Sequence, residues 1–123
     1  MNRNLYLTLA RGFADQPDNC CLRLPGGEEW SFRRLERLSA GMAALLLERA
    51  APGDRVLVQV EKCPQAVALY LACLRAGLVM VPLNTAYTAG ELDYFRADAQ
   101  PAVEIDDDAL EVLAAGAMAA DPY

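Results

Sequence analysis

Three consecutive aspartates, Asp106, Asp107 and Asp108, are the most chemically suggestive residues of this chain, because grouped carboxylates bind divalent cations. Consecutive side chains point different ways on any regular backbone, however, and acids favour the N-terminus of a helix electrostatically. Capping and solvation are therefore their expected roles. Thr88 and Glu91 form a second polar pair, in the T-x-x-E spacing of a capping box, which accounts for both side chains without a ligand. Thr85 and Tyr87 either line a pocket or pack against a neighbouring element. Pro25-Gly26-Gly27 lacks the further glycines, lysine and following helix of a phosphate loop and reads as a turn. Lys62 is the only lysine, and no histidine occurs. His-based acid–base catalysis, Ser–His relays and His–metal sites are thereby excluded. Of the 4 cysteines, Cys20 and Cys21 are adjacent while Cys63 and Cys73 stand alone. No CxxC spacing points to zinc, no activating partner stands near a thiol in sequence, and reduced, mostly buried thiols are expected.

The elements that position these residues must come from a chain of 123 residues, enough for one domain with a real core. Hydrophobic residues make up 54% of it, yet no apolar run approaches the ~20 residues of a membrane span. "MNRNLYLTLARGF" is too short and interrupted for a signal peptide, so the cytoplasm is the expected location. The net charge of -6 is unevenly spread: ten of the 11 basic residues precede Glu91, whereas nine of the 17 acids lie from Glu91 onward. Nucleic acid is not an expected partner, because phosphate binding needs a clustered basic surface.

Leu5, Leu9 and Phe13 recur at four-residue intervals and predict a short helix over Leu5–Ala14. Two extended runs flank Pro25-Gly26-Gly27 as a hairpin. Ser31 is the expected N-cap of a helix reaching about Arg49, with Phe32, Leu35, Leu38, Met42, Leu45 and Leu46 on its core face. Pro52-Gly53-Asp54 is a turn, and Arg55–Val60 alternates as a strand with Val56, Val58 and Val60 on one side. Pro64 suits the first turn of a helix over Gln65–Ala76 that is apolar almost all round and should be covered on more than one side. Gly77 fits the left-handed position that ends it. "LVMVPL" then reads as a strand buried on both faces. Together these form a βαβ unit with parallel strands, in which Val56, Val58, Leu69, Val79 and Val81 are expected to be buried. The loop Asn84–Tyr87 follows the carboxyl end of the second strand, where open α/β sheets place ligands. A capped helix over Ala89–Ala97, a short strand "PAVEI" and an acidic, alanine-rich helix to about Ala120 complete the chain.

Trp30-Ser31-Phe32, a long helix, Gly53-Asp54-Arg55-Val56, Pro64, Arg75-Ala76-Gly77 and Val81-Pro82-Leu83-Asn84 stand in one order. This run resembles the N-terminal part of adenylate-forming enzymes: acyl-CoA synthetases, aryl ligases, luciferases and peptide-synthetase adenylation domains. Within them, "VEK", "LYLACLRAG" and "PLNTAYTAGELDYF" look most like malonyl-CoA synthetases. The resemblance covers residues 4 to 105. It implies an α/β fold with a partial Rossmann-like parallel sheet and flanking helices, part of a large N-terminal domain. Residues 1-105 would be the N-terminal segment of the AMP-binding domain, followed over 106-123 by an acidic, alanine-rich C-terminal helix. After Ile105 the family usually continues through a longer αβ stretch, so the Ile105–Asp106 junction departs from its pattern as a deletion would.

The resemblance implies that ATP and a carboxylate give an acyl-adenylate and pyrophosphate, after which CoA thiol displaces AMP. The phosphate loop, the magnesium-binding acid, the ribose-binding aspartate and the adenylation lysine of the family all lie beyond the matched region. No catalytic, cofactor-binding or metal residue can therefore be carried over, and ATP, Mg2+ and CoA are implied only for the complete enzyme. The expected partner is the remainder of that enzyme, with self-association of this chain in isolation. A stand-alone, non-catalytic α/β interaction or regulatory module is the rival reading, and an unrelated small ligand-binding domain with a polar pocket around Asn84–Tyr87 is a third.

Overall fold

The computed structural model describes residues 20–23 and 27–119, so the helix expected over Leu5–Ala14 lies outside the described residues. Strands β1 (Cys20–Arg23) and β2 (Glu29–Ser31) pair antiparallel, as the hairpin signal predicts. Gly27 enters β2 at φ 91°, a backbone region open mainly to glycine.

Helix α1 (Phe32–Leu46) starts where expected: the Ser31 hydroxyl accepts the Arg34 N–H at 3.1 Å. Leu35, Leu38, Met42 and Leu46 are buried in a single stripe. The helix ends short of Arg49 because its last turn tightens. The N–H groups of Glu48 and Arg49 reach back only three residues, to the carbonyls of Leu45 and Leu46. Ser39, the buried polar residue of this helix, donates its hydroxyl to the Glu36 carbonyl at 2.8 Å.

Strand β3 (Arg55–Gln59), helix α2 (Pro64–Ala76) and strand β4 (Val79–Pro82) form the βαβ unit, with β3 and β4 parallel. Pro64 stands in the first turn of α2. Gly77, at φ 74°, closes α2 with the N–H of Leu78 on the Cys73 carbonyl and its own N–H on that of Leu74. After helix α3 (Ala89–Ala99), strand β5 (Val103–Asp106) pairs parallel with the other side of β3, giving the order β4-β3-β5. Helix α4 (Asp107–Ala119) follows β5 directly.

The core lies on one face of this sheet. Val56, Val58, Val103 and Ile105 meet the apolar stripe of α1, the buried side of α2 and, from α4, Leu110 and Ala117. The acidic C-terminal helix is thus built into the same core as the motif-bearing elements. Helices α1 and α4 approach so closely that a Cβ on Gly41 would stand 2.9 Å from the Ala117 carbonyl oxygen.

Several expectations are corrected. Strand β3 stops at Gln59, not Val60, and Leu57 is buried as well as Val56 and Val58. Alternation alone assigned one buried face, whereas α3 shelters the second. Helix α3 continues past Ala97 to Ala99, with Gln100 in the left-handed region at φ 46°. The largest correction concerns β4. Among the described residues it is an edge strand and is not covered on both faces: Val79 is 47% exposed, Val81 half-buried and Pro82 exposed. Sheet order explains this, because β5 takes the free side of β3 and makes β3 the centre. Helix α2, expected to be covered nearly all round, likewise leaves Val67 and Tyr70 exposed.

Candidate functional site: the carboxyl ends of the parallel strands

Strands β3 and β5 end side by side, and the loop after β4 folds over beside them. They enclose an open cleft of about 340 Å³ lined by Gln59, Glu61, Thr85, Asp106, Asp107 and Asp108. This is where an open parallel sheet places a ligand when the chain reverses its direction of strand addition. Here it does reverse, since β4 and β5 lie on opposite sides of β3.

Gln59, Asp106 and Asp107, three of these side chains, are committed to the fold. Gln59 donates its amide to the Asn84 carbonyl at 3.0 Å, tying β3 to the loop after β4. Asp106 accepts the Ala109 N–H at 2.8 Å and so caps α4. Asp107 accepts the Glu61 N–H at 2.9 Å, fastening the chain after β3 to the start of α4. The aspartate run thus caps and links, as consecutive acids at a helix start should. Among the described residues, no group of three or more His, Cys, Asp or Glu side chains is placed to hold a metal ion.

Thr88 and Glu91 form the reciprocal box expected of them. The Glu91 N–H reaches Thr88 Oγ1 at 3.3 Å, and the Thr88 N–H reaches Glu91 Oε1 at 3.3 Å. Asn84 turns the preceding loop by accepting the Ala86 N–H on Oδ1 at 2.8 Å. Tyr87 stacks on Phe95 of α3 with centroids 5.2 Å apart, so it packs against a neighbouring element, while Thr85 lines the cleft. The cleft carries carboxylates and, among its described lining residues, no lysine or arginine. A polyphosphate would meet charge repulsion there.

Cys73 is fully buried in α2, and desolvation pushes its thiol up to about 11 from an ordinary 9.0. The folded state therefore holds this proton more tightly than the unfolded chain does. Its contribution to stability is complete below about pH 9 and is lost as the pH rises through about 11. Cys63 is half-buried at the N-cap of α2 and makes no side-chain cap bond. Alkylation of the native protein at pH 8, read by peptide mass spectrometry, should modify Cys73 at least about tenfold more slowly than Cys63. Equal rates would show that α2 opens readily or is not packed as described.

Likeness to other proteins identifies the family of the chain. Residues 9–121 match the family described as AMP-binding enzyme. The chain is 34% identical over 110 residues to a long-chain-fatty-acid–CoA ligase of Bacillus subtilis, covering 89% of this chain and 20% of that protein. Among solved structures it is similar to ATP-bound MatB from Rhodopseudomonas palustris, with 38% identity and a TM-score of 0.81, covering 95% of this chain and 24% of the other. The N-terminal subdomain of NpsA from Klebsiella oxytoca, solved with 3-hydroxyanthranilyl-AMSN, shares the fold at a TM-score of 0.87 but only 20% identity, covering 99% of this chain and 33% of that one. The chain thus spans about a fifth of the ligase and a quarter of MatB. These 123 residues belong to the AMP-binding enzyme family and have the fold of a part of the N-terminal domain of adenylate-forming enzymes.

Proposed function

We propose that this chain is the N-terminal part of an ATP-dependent acid–CoA ligase, that the acid is malonate or a related short carboxylate, and that the segment is inactive by itself. The observation that carries this reading is the likeness to ATP-bound MatB, which extends over 95% of the chain at 38% identity. The family match and the likeness to an acyl-CoA ligase support the same reaction class, and they do not favour a stand-alone module. Support for malonate is narrower: it rests on "VEK", "LYLACLRAG" and "PLNTAYTAGELDYF".

In this reading the segment's contribution is positional. Its parallel strands and the helices locked onto them form one side of a larger domain, while ATP, Mg2+ and CoA are bound by the rest of the enzyme. The acidic cleft at the strand ends serves the fold and not the nucleotide. No helix among the described residues is long and apolar enough to cross a membrane. In isolation the exposed Val67, Tyr70 and Val79 favour self-association of the segment.

Two assays test the proposal. The purified 123-residue chain, incubated with ATP, magnesium and malonate, should release no pyrophosphate above the blank. Release that survives repurification would show that the segment is itself an enzyme. The protein encoded by the complete reading frame should release pyrophosphate with malonate faster than with acetate or a long-chain fatty acid. A preference for either of those would overturn the malonate assignment and leave the ligase class standing.

A further inference from the structure

Helix α3 gives little of itself to the core. Its inner side rests on the sheet: Leu57 is buried beneath it, the Arg55 guanidinium donates to the Ala99 carbonyl at 3.0 Å, and Arg96 pairs with Glu104 at 2.6 Å. Ala99 is its one buried residue, and Leu92 and Phe95 are half-buried. On the outer side Tyr94 is 68% exposed, yet its ring is held in place. It meets Phe95 edge-to-face at 5.6 Å, and Phe95 is itself stacked on Tyr87. Gly90 and Glu91 lie one helical turn before Tyr94, Ala97 and Asp98 one turn after, and all four are exposed. The small residues leave the ring standing clear, since even a Cβ on Gly90 would meet nothing within 4 Å. The acids place a carboxylate one turn to either side of it. Folding accounts for Glu91 through the capping box, but not for the rest. Asp98 stands in the last turn of α3, where the helix dipole disfavours an acid, and no packing need explains an exposed ring at position 94. Local rules broken without a structural gain mark a surface kept for something else.

We propose that the outward face of α3 is a docking surface for a separate protein, which lays an arginine-bearing segment across Tyr94 between Glu91 and Asp98. The inference goes beyond the ligase reading and holds whichever acid the enzyme activates. The occupant is cationic because of the charge on this helix. Three of its four charged residues are acids, and the one cation, Arg96, is already held by Asp93 and Glu104. Arginine suits the site better than lysine, because a planar guanidinium stacks on an aromatic face while donating to flanking carboxylates. The occupant is a protein because the outer side of a helix is convex, whereas small-molecule sites are concave. It is not the rest of this domain, since a parallel sheet takes a layer of helices on each face and α3 is that layer here. A second copy is disfavoured by the net charge of -6 that each copy of this segment carries.

The test uses the protein encoded by the complete reading frame. The probe is a short fluorescein-labelled peptide of Arg-Gly repeats, read by fluorescence anisotropy at low salt, where exposed charges are least screened. A matching peptide of Glu-Gly repeats should not bind. Tyr94→Ala should weaken binding of the Arg-Gly peptide at least about threefold, and Asp98→Asn about as much. Tyr94→Phe, which keeps the ring, should bind like the parent. Asp108→Asn, in the acidic cleft, controls for attraction by charge elsewhere and should leave binding within the error of the parent. An unchanged urea midpoint for each variant shows that the fold is intact, as substitution at exposed positions should leave it. Equal affinity of Tyr94→Ala and the parent overturns the inference. An Asp108→Asn loss as large as that of Tyr94→Ala, or no binding by the parent, does the same. So does a parent dimer in sedimentation that Tyr94→Ala dissolves, because the occupant is then a second copy.

Discussion

Replacing Leu69 by alanine is expected to destabilise the folded protein by about 2–5 kcal/mol, the range for removing a fully buried leucine. Leu69 has no exposed surface and lies in the core cluster with Val56 and Val58 of β3 and Leu38 and Met42 of α1. The void left by alanine could be closed only by moving α2 relative to both. Val67, on the same helix but 37% exposed, provides the contrast: Val67→Ala should change stability by no more than about 0.5 kcal/mol. Urea unfolding of the two variants against the parent measures the difference directly. A Leu69→Ala effect under about half a kcal/mol would mean that α2 does not bury this face in the core.

Gly41→Ala is expected to destabilise by about 1–3 kcal/mol, although alanine in mid-helix normally gains about 1 kcal/mol over glycine. The added methyl would stand 2.9 Å from both the Cβ and the carbonyl oxygen of Ala117. Neither is the tip of a flexible side chain, so the α1–α4 contact must open. Gly90→Ala is the matched control: it lies in the first turn of α3, and a Cβ there meets nothing within 4 Å. That substitution should be neutral or stabilising by up to about 1 kcal/mol. Hydrogen exchange locates the damage, since Gly41→Ala should accelerate exchange across residues 107–119 before it affects β3. Equal stabilities for the two alanine variants would show that α4 does not dock on α1.

Much of the local structure was legible in the sequence, because it depends on residues a few positions apart. Ser31 caps α1, Thr88 and Glu91 close their box, Pro64 opens α2 and Gly77 ends it in the left-handed region. Each outcome follows from which backbone group lacks a partner and which nearby side chain can supply one. The same reasoning disposed of the apparent polar site, since capping already accounted for Thr88, Glu91 and the aspartates. The ordered motifs from Trp30 to Asn84 likewise pointed to the adenylate-forming family, which the match over residues 9–121 shows.

What only the tertiary structure decided was which apolar residues find a partner. "LVMVPL" has the composition of a strand buried on both faces, yet β4 lies at the edge with Val79 largely open. Leu57 breaks the alternating pattern and is buried because α3 crosses above it. The acidic helix supplies Leu110 and Ala117 to the common core. Hydrophobicity measures what a side chain gains if it is covered, and whether it is covered depends on strand order and on helices far away in sequence. That is why the caps and turns of this protein were decided locally, while the exposed face of its sheet emerged only when the strands were set side by side.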